Sequence, residues 1–268
     1  MPFLRTAVDA VKLCARKMGI AISYYPPPGS YTRLLRDFLL QMEINVVLDV
    51  GAFIGNYAIG LREAGYAGRI ISFEPVPASY DRLHARMHHD TLWCGQPFGL
   101  SDDNREAMMN TYGRGDFSSL LNLREDAELA YSLDPSLRSQ TPIQLWRLDE
   151  VLPQLIEEIP SPRVFVKMDT QGHDVSVIRG ATGVLDKIVG LQSELPAVNI
   201  YEGMPSMSIA LEYYASCGFV PIGFYPENTF ENIQISPEFN VLFNRFEGRL
   251  YCPKTRATEY ELVTNYPD

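Results

Sequence analysis

The sequence predicts a single α/β domain built on a mostly parallel sheet with helices on both faces, and three observations carry that expectation. The chain has 268 residues, 46% of them hydrophobic, enough for one large core but not obviously for two. Short apolar runs flanked by polar or turn residues recur at 45–50, 69–73, 91–94, 163–168 and 188–193, as buried strands do. Helical stretches at 55–64, 77–89, 149–158 and 174–185 separate them, and strands that alternate with helices pair in parallel and are covered on both sides.

In chain order, residues 1–20 set Phe3, Leu4, Ala7, Val8, Val11 and Leu13 against Arg5, Lys12, Arg16 and Lys17, the pattern of a surface helix docked on a core, with a helix lying on a membrane surface as the alternative. The prolines and glycine of YYPPPGS (24–30) make a linker, and 31–42 is helical, so residues 1–42 form a helical extension before a main domain at 43–268. Within the helix after 174, Val175, Ile178, Thr182 and Leu185 fall at helical spacing while Asp174, Arg179 and Lys187 face water. Residues 104–148 break the rhythm, with one short strand near 142–147. The aromatic C-terminal third adds a helix at 206–216 and antiparallel strands near 219–225 and 240–246.

Composition excludes several classes. A net charge of −10 repels phosphate backbones and anionic lipid headgroups, so nucleic acid is a poor partner. Cys14, Cys94, Cys217 and Cys252 lie far apart without a C-x-x-C pair, which indicates neither a disulfide framework nor a structural zinc and suits reduced thiols in a cytoplasm. Neither a membrane-span-length apolar run nor a signal-peptide core is present, and a soluble protein is expected.

Two segments carry chemistry. In VVLDVGAFIGNYA (46–58), D-x-G-x-x-x-G follows a buried strand and opens a helix, a turn in which Gly51 and Gly55 let the backbone approach a ligand. Asp49 at the strand end would accept hydrogen bonds from a cationic or hydroxylated ligand but repel a pyrophosphate, which argues against NAD. Glu74, closing the next strand in SFEP, stands where an acid holds both ribose hydroxyls. A ribose with free hydroxyls and no phosphate matches S-adenosylmethionine; the plainer alternative has Asp49 capping the helix and Glu74 on the surface.

The second segment is VFVKMDTQGHDVSVIRGA (164–181), where a buried strand ends in Asp169 and Gly172 permits a turn that brings His173 to the same rim. Lys167 inside this apolar strand is the odd residue, and Glu194 in LQSELP ends the following strand. Acids at three strand ends suit three tasks: holding a hydroxyl acceptor, orienting a basic His173, or binding a divalent cation through oxygens. On the plainer reading Asp169 caps the next helix and His173 is a first-turn solvent residue.

The ordered segments VVLDVGAFIGNYA, SFEPVPASYDRL, GLSDD, RLDEVL, VKMDTQGHDVSVIRGA and LQSELP resemble the FkbM-type S-adenosylmethionine-dependent methyltransferases over roughly residues 45–225. The resemblance implies a Rossmann-like class I methyltransferase fold with a seven-stranded sheet, and O-methylation of a sugar or secondary metabolite. It places Asp49, Gly51, Gly55 and Glu74 at the cofactor, Ser101 and Asp102 on the adenine side, and Asp169, His173 and Glu194 on the acceptor side as catalytic residues. Asp169 and Glu194 are also the candidate ligands of a Mg²⁺. Two positions depart from the family pattern: Phe53 stands where Asn is common, and Gln171 where Glu is frequent. The aromatics Tyr201, Tyr213, Tyr214, Phe219, Phe224 and Tyr225 either line an acceptor pocket or belong to the core. A dinucleotide-dependent oxidoreductase or a non-catalytic binding protein would use the same sheet.

Overall fold

A computed structural model describes residues 11–20, 30–112, 117–130, 134–227 and 238–245. The N-terminal stretch 1–10, most of the linker, Cys252 and the chain after 245 lie outside the described residues, while 11–17 are helical as expected.

Helix α1 (Tyr31–Gln41) is started by Ser30, whose hydroxyl accepts the Arg33 N–H at 3.3 Å, and buries Leu35, Phe38 and Leu39. Strand β1 (Val46–Val50) follows, buried at all five positions, then α2 (Asn56–Glu63), β2 (Arg69–Phe73), α3 (Pro77–Met87) and β3 (Trp93–Gln96). Proline opens α3, where its missing N–H costs nothing. The chain returns through α5 (Leu148–Leu155), β7 (Val164–Met168), α6 (Asp174–Arg179), β8 (Ile188–Pro196), α7 (Met207–Ser216), β9 (Phe219–Glu227) and β10 (Glu238–Arg245).

These strands make one seven-stranded sheet in the order β3-β2-β1-β7-β8-β10-β9, parallel except for β10, which runs antiparallel to both neighbours. The chain moves outward from β1 to β3 and then resumes at β7 on the other side of β1. The strand order therefore reverses between β1 and β7, and a crevice opens at their carboxyl ends. Alternation along the strands feeds two cores. Val46, Leu48, Val50, Val164, Val166 and Met168 pack with α5, α6 and α7, whereas Val47, Ile70 and Phe165 pack with α1, α2 and α3. Asp49 and Lys167 are adjacent across the β1–β7 register, which sets a carboxylate beside an ammonium inside the sheet. Helix α1 thus covers the sheet although the sequence groups it with the extension.

Residues 104–148 are not irregular. They contain β5 (Arg105–Thr111), α4 (Glu125–Ala130) and β6 (Ser139–Arg147), and with β4 (Gly99–Ser101) the strands form a separate sheet in the order β4-β6-β5. The strand expected near 142–147 is the second half of β6; much of β5 and of the rest of β6 is exposed and shows no apolar run of the kind that reveals a buried strand. The helix expected at 174–185 is also broken: α6 stops at Arg179, and Thr182–Lys187 form a 3-10 turn. Gly180 lies against the Ser101 carbonyl, where a Cβ would collide, so α6 is locked to β4 at the point where it ends. Among the described residues no helix is long and apolar enough to cross a membrane.

Candidate active site

The loop after β1 is held open by backbone conformation and by its protein neighbours. Gly51 has φ +74° and Gly55 φ +85°, both left-handed. A Cβ on Gly51 would strike the carbonyl oxygen of Asp169, and one on Gly55 would lie 2.7 Å from the Leu83 side chain. Room for a ligand therefore does not by itself explain these glycines: the end of β7 presses on the first, and α3 on the second. Phe53 adopts φ +49°, a conformation that Asn tolerates better than an aromatic residue. Its N–H donates to Glu74 Oε2 at 2.8 Å, while Glu74 Oε1 accepts the Val76 N–H at 2.9 Å. Glu74 thus clasps the loops after β1 and β2 together. Burial pushes its carboxyl up to about 7 against those two donors.

A first cleft, about 760 Å³ counted out to open solvent, runs between Gly51, Glu74, Gly99, Asp169 and His173, under a roof of Met109 and Leu145 from the small sheet. His173 Nε2 lies 3.0 Å from Ser101 Oγ, which also donates to Asp102 Oδ1 at 3.0 Å. Burial, aided by the Arg105 and Arg179 charges and opposed by Asp102 and Asp103, lowers His173 to about 4, so its imidazole is neutral at physiological pH. A second cleft, about 1410 Å³ counted the same way, opens on the other side of the β1 loop between α1, α2 and the ends of β7, β8 and β9. Tyr31, Tyr57, Lys167, Gln192, Glu194 and Glu227 line it, and Gly51, Phe53 and Asp169 line both clefts. His173 and Glu194, expected on one acceptor side, face different clefts.

Asp49 lines neither. It is fully buried, with Oδ2 accepting from Ser72 Oγ and Oδ1 facing Lys167 Nζ, both at 3.3 Å. Gly55 likewise sits behind the clefts at the start of α2. The Gln171 amide donates to Asp169 Oδ1 at 2.9 Å and Glu194 Oε2 at 3.2 Å, and accepts from Tyr201 Oη at 2.7 Å. N–H donors fill the gap that a cation between Asp169 and Glu194 would need. Among the described residues no group of three His, Cys, Asp or Glu side chains is placed to hold a metal ion, and the donor set does not fit Mg²⁺.

Asp174, expected on the surface of α6, is buried. Its Oδ1 accepts from the Thr170 N–H at 3.0 Å, and its Oδ2 from Ser193 Oγ at 2.7 Å and the Glu194 N–H at 3.2 Å. It joins the ends of β7 and β8 and so positions Asp169 and Glu194. A helical wheel cannot distinguish such an acid from a solvated one. Tyr31, Tyr57, Gln192 and Asn240, which build the second cleft, carry no sequence signal either. Tyr57 donates to Gln192 Oε1 at 3.0 Å, Gln192 donates to Asn240 Oδ1 at 2.6 Å, and Asn240 donates to Glu227, a polar chain across α2, β8, β10 and β9.

The model of the methyltransferase FkbM domain matches residues 49–221, from the end of β1 into β9. The chain belongs to the FkbM methyltransferase family. It is a methyltransferase that depends on S-adenosylmethionine, and the first cleft fits that cofactor: the carboxylate of Glu74 stands at the β2 end, beneath an apolar roof, with the backbone of Gly51 beside it. No curated protein matches the chain. Among solved structures it is similar to an rRNA methylase from Streptococcus thermophilus (12% identity over 82% of this chain and 99% of that one, TM-score 0.43). It is also similar to a magnesium protoporphyrin IX methyltransferase from Synechocystis with bound S-adenosylmethionine (8%, 80% and 78%, TM-score 0.45). Likeness of that degree leaves acceptor and mechanism to the site itself. Of the two departures from the FkbM pattern, Phe53 contributes its backbone N–H rather than its side chain, and Gln171 supplies an amide that bridges two carboxyls.

Proposed function

We propose that this FkbM methyltransferase methylates a hydroxyl oxygen of a sugar or secondary metabolite, with the cofactor in the first cleft and the acceptor in the second. The observation that carries this reading is the wall of Gly51, Phe53 and Asp169 common to both clefts, across which the two reactants would meet. S-adenosylmethionine supplies a methyl group on a sulfonium, already activated for displacement. Glu74 accepts the ribose hydroxyls, with Phe53 and Val76 holding its oxygens in place. His173, neutral and bonded to Ser101, shapes the adenine side of this cleft. Asp169, its side chain 40% exposed, would take the proton that the acceptor hydroxyl gives up on methylation. A carboxylate suffices because the hydroxyl becomes strongly acidic only as it is methylated, and positioning supplies most of the acceleration.

Aromatic faces at Tyr31 and Tyr57 and the polar chain ending at Glu227 support a hydroxylated acceptor in the second cleft. The net charge of −10 speaks against nucleic acid, and the free thiols of Cys14, Cys94 and Cys217 support a cytoplasmic setting. The test compares two variants in an assay of S-adenosylhomocysteine release over a panel of hydroxylated acceptors. Asp169→Asn should lose roughly 10²- to 10⁴-fold in turnover while binding S-adenosylhomocysteine within a few fold of wild type. His173→Ala should chiefly weaken S-adenosylhomocysteine. The reverse pattern, with turnover lost in His173→Ala at unchanged affinity, would make His173 the base and overturn the assignment to Asp169.

A further inference from the structure

Lys167 is 5% exposed in the middle of the sheet, and an ammonium in that position is costly unless its hydrogens are satisfied. Three oxygens surround its Nζ: the Gly51 carbonyl at 3.2 Å, Asp49 Oδ1 at 3.3 Å and Asp169 Oδ2 at 3.5 Å. The Tyr57 ring centroid lies 5.2 Å away on a fourth side. Two of the three oxygens belong to residues that line both clefts, and Lys167 itself lines the second. A salt bridge that only stabilised the fold would need Asp49 alone.

We propose that Lys167 is a positioning residue for methyl transfer, fixing the Gly51 carbonyl and the Asp169 carboxylate side by side on the shared wall. This rests on the two-cleft reading above. The charged groups around the Asp169–Glu194 pair come from every neighbouring element: Asp49 from β1, Lys167 from β7, Glu194 from β8, and Glu227 and Glu238 from β9 and β10. The ammonium has a direct contact to Asp169, whereas Glu194 meets Asp169 and Glu238. Burial opposes charge on both carboxyls. On Asp169 the Lys167 ammonium and the Gln171 amide outweigh it and bring the group below its ordinary value. On Glu194 burial prevails, with the neighbouring acids adding to it, and the group lies well above its ordinary value. Lys167 in turn is held protonated against burial by Asp49, Asp169 and Glu194. Asp49, completely buried, acts at the cofactor loop through this ammonium.

The test uses the whole chain and S-adenosylhomocysteine as the probe. Lys167→Met combined with Asp49→Leu removes both buried charges together and avoids leaving one unpaired. With carboxyl-¹³C-labelled protein and Asp169→Asn for assignment, Asp169 should titrate at least about one pH unit higher in the double variant, and in Lys167→Arg it should stay close to wild type. Calorimetric affinity for S-adenosylhomocysteine should fall roughly tenfold or more in the double variant. In wild-type protein the Lys167 ¹⁵Nζ resonance, assigned by its loss in Lys167→Arg, should shift when S-adenosylhomocysteine is added, a readout that requires no variant to fold. Unchanged Asp169 titration in a folded double variant, or a ¹⁵Nζ resonance indifferent to the bound probe, overturns the proposal. Failure of S-adenosylhomocysteine to bind wild-type protein would instead overturn the cofactor reading.

Discussion

At the scale of single residues, Glu74 makes cofactor binding depend on pH near neutrality. Its carboxyl is pushed up to about 7 by burial, so it is largely protonated at pH 6 and largely ionised at pH 8. On the proposed assignment two ribose hydroxyls would donate to the ionised form. Affinity for S-adenosylhomocysteine should therefore rise as pH climbs through 7 and level off above it, falling by up to about tenfold per pH unit on the acid side. Stability of the free protein runs the other way. A carboxyl whose folded value is raised contributes its full stability below its unfolded value, near 4.5, and loses it as pH rises through about 7, for roughly 3 kcal/mol in all. Calorimetry from pH 5.5 to 8.5 checks the first expectation, and urea denaturation of the ligand-free wild type and Glu74→Gln, with the wild type losing more stability than the variant between pH 5 and pH 8, checks the second. Glu74→Ala should weaken binding well over tenfold, because two backbone donors lose their acceptor along with the ribose contact.

At the scale of elements, the site depends on close approaches between segments far apart in the chain. The break between α6 and the 3-10 turn at Gly180 is one, since a Cβ there would strike the Ser101 carbonyl. Gly180→Ala should cost about 2–4 kcal/mol in urea denaturation and separate β4 from α6, moving Ser101 off His173. A change no larger than that of an ordinary surface glycine, under about 1 kcal/mol, would show that the contact yields. The elements themselves were legible. Strands 45–50, 69–73, 163–168 and 188–193 are found within a few residues because a strand buried on both faces is an apolar run whatever packs on it. Strand β5 was not, and of β6 only the second half, 142–147, was, because their exposed residues record no face and pairing with each other is what shows the rest to be strand.

At the scale of the whole molecule, the net charge of −10 sets what the surface attracts. At about 150 mM salt a fluorescent RNA hairpin should show no binding at micromolar protein, since nonspecific affinity comes from phosphate neutralisation by basic side chains. Saturable binding under those conditions would show a local basic surface that the total charge conceals.

The sequence alone determined the alternation of strands and helices, the acids at the ends of β1, β2, β7 and β8, and through their order the FkbM family; each of these is local, a matter of which residues stand within one element or one turn of each other. Tertiary structure alone decided which of them face a cleft, and which cleft. Asp49 became a buried partner of Lys167 because the β1–β7 register sets them side by side. His173 went to Ser101 rather than Glu194 because α6 is locked to β4. Gly51 had to be glycine because Asp169 presses on it from the end of another strand. Register, close approach and burial are set by neighbours distant in the chain, and they govern charge state and exposure, on which the chemistry rests.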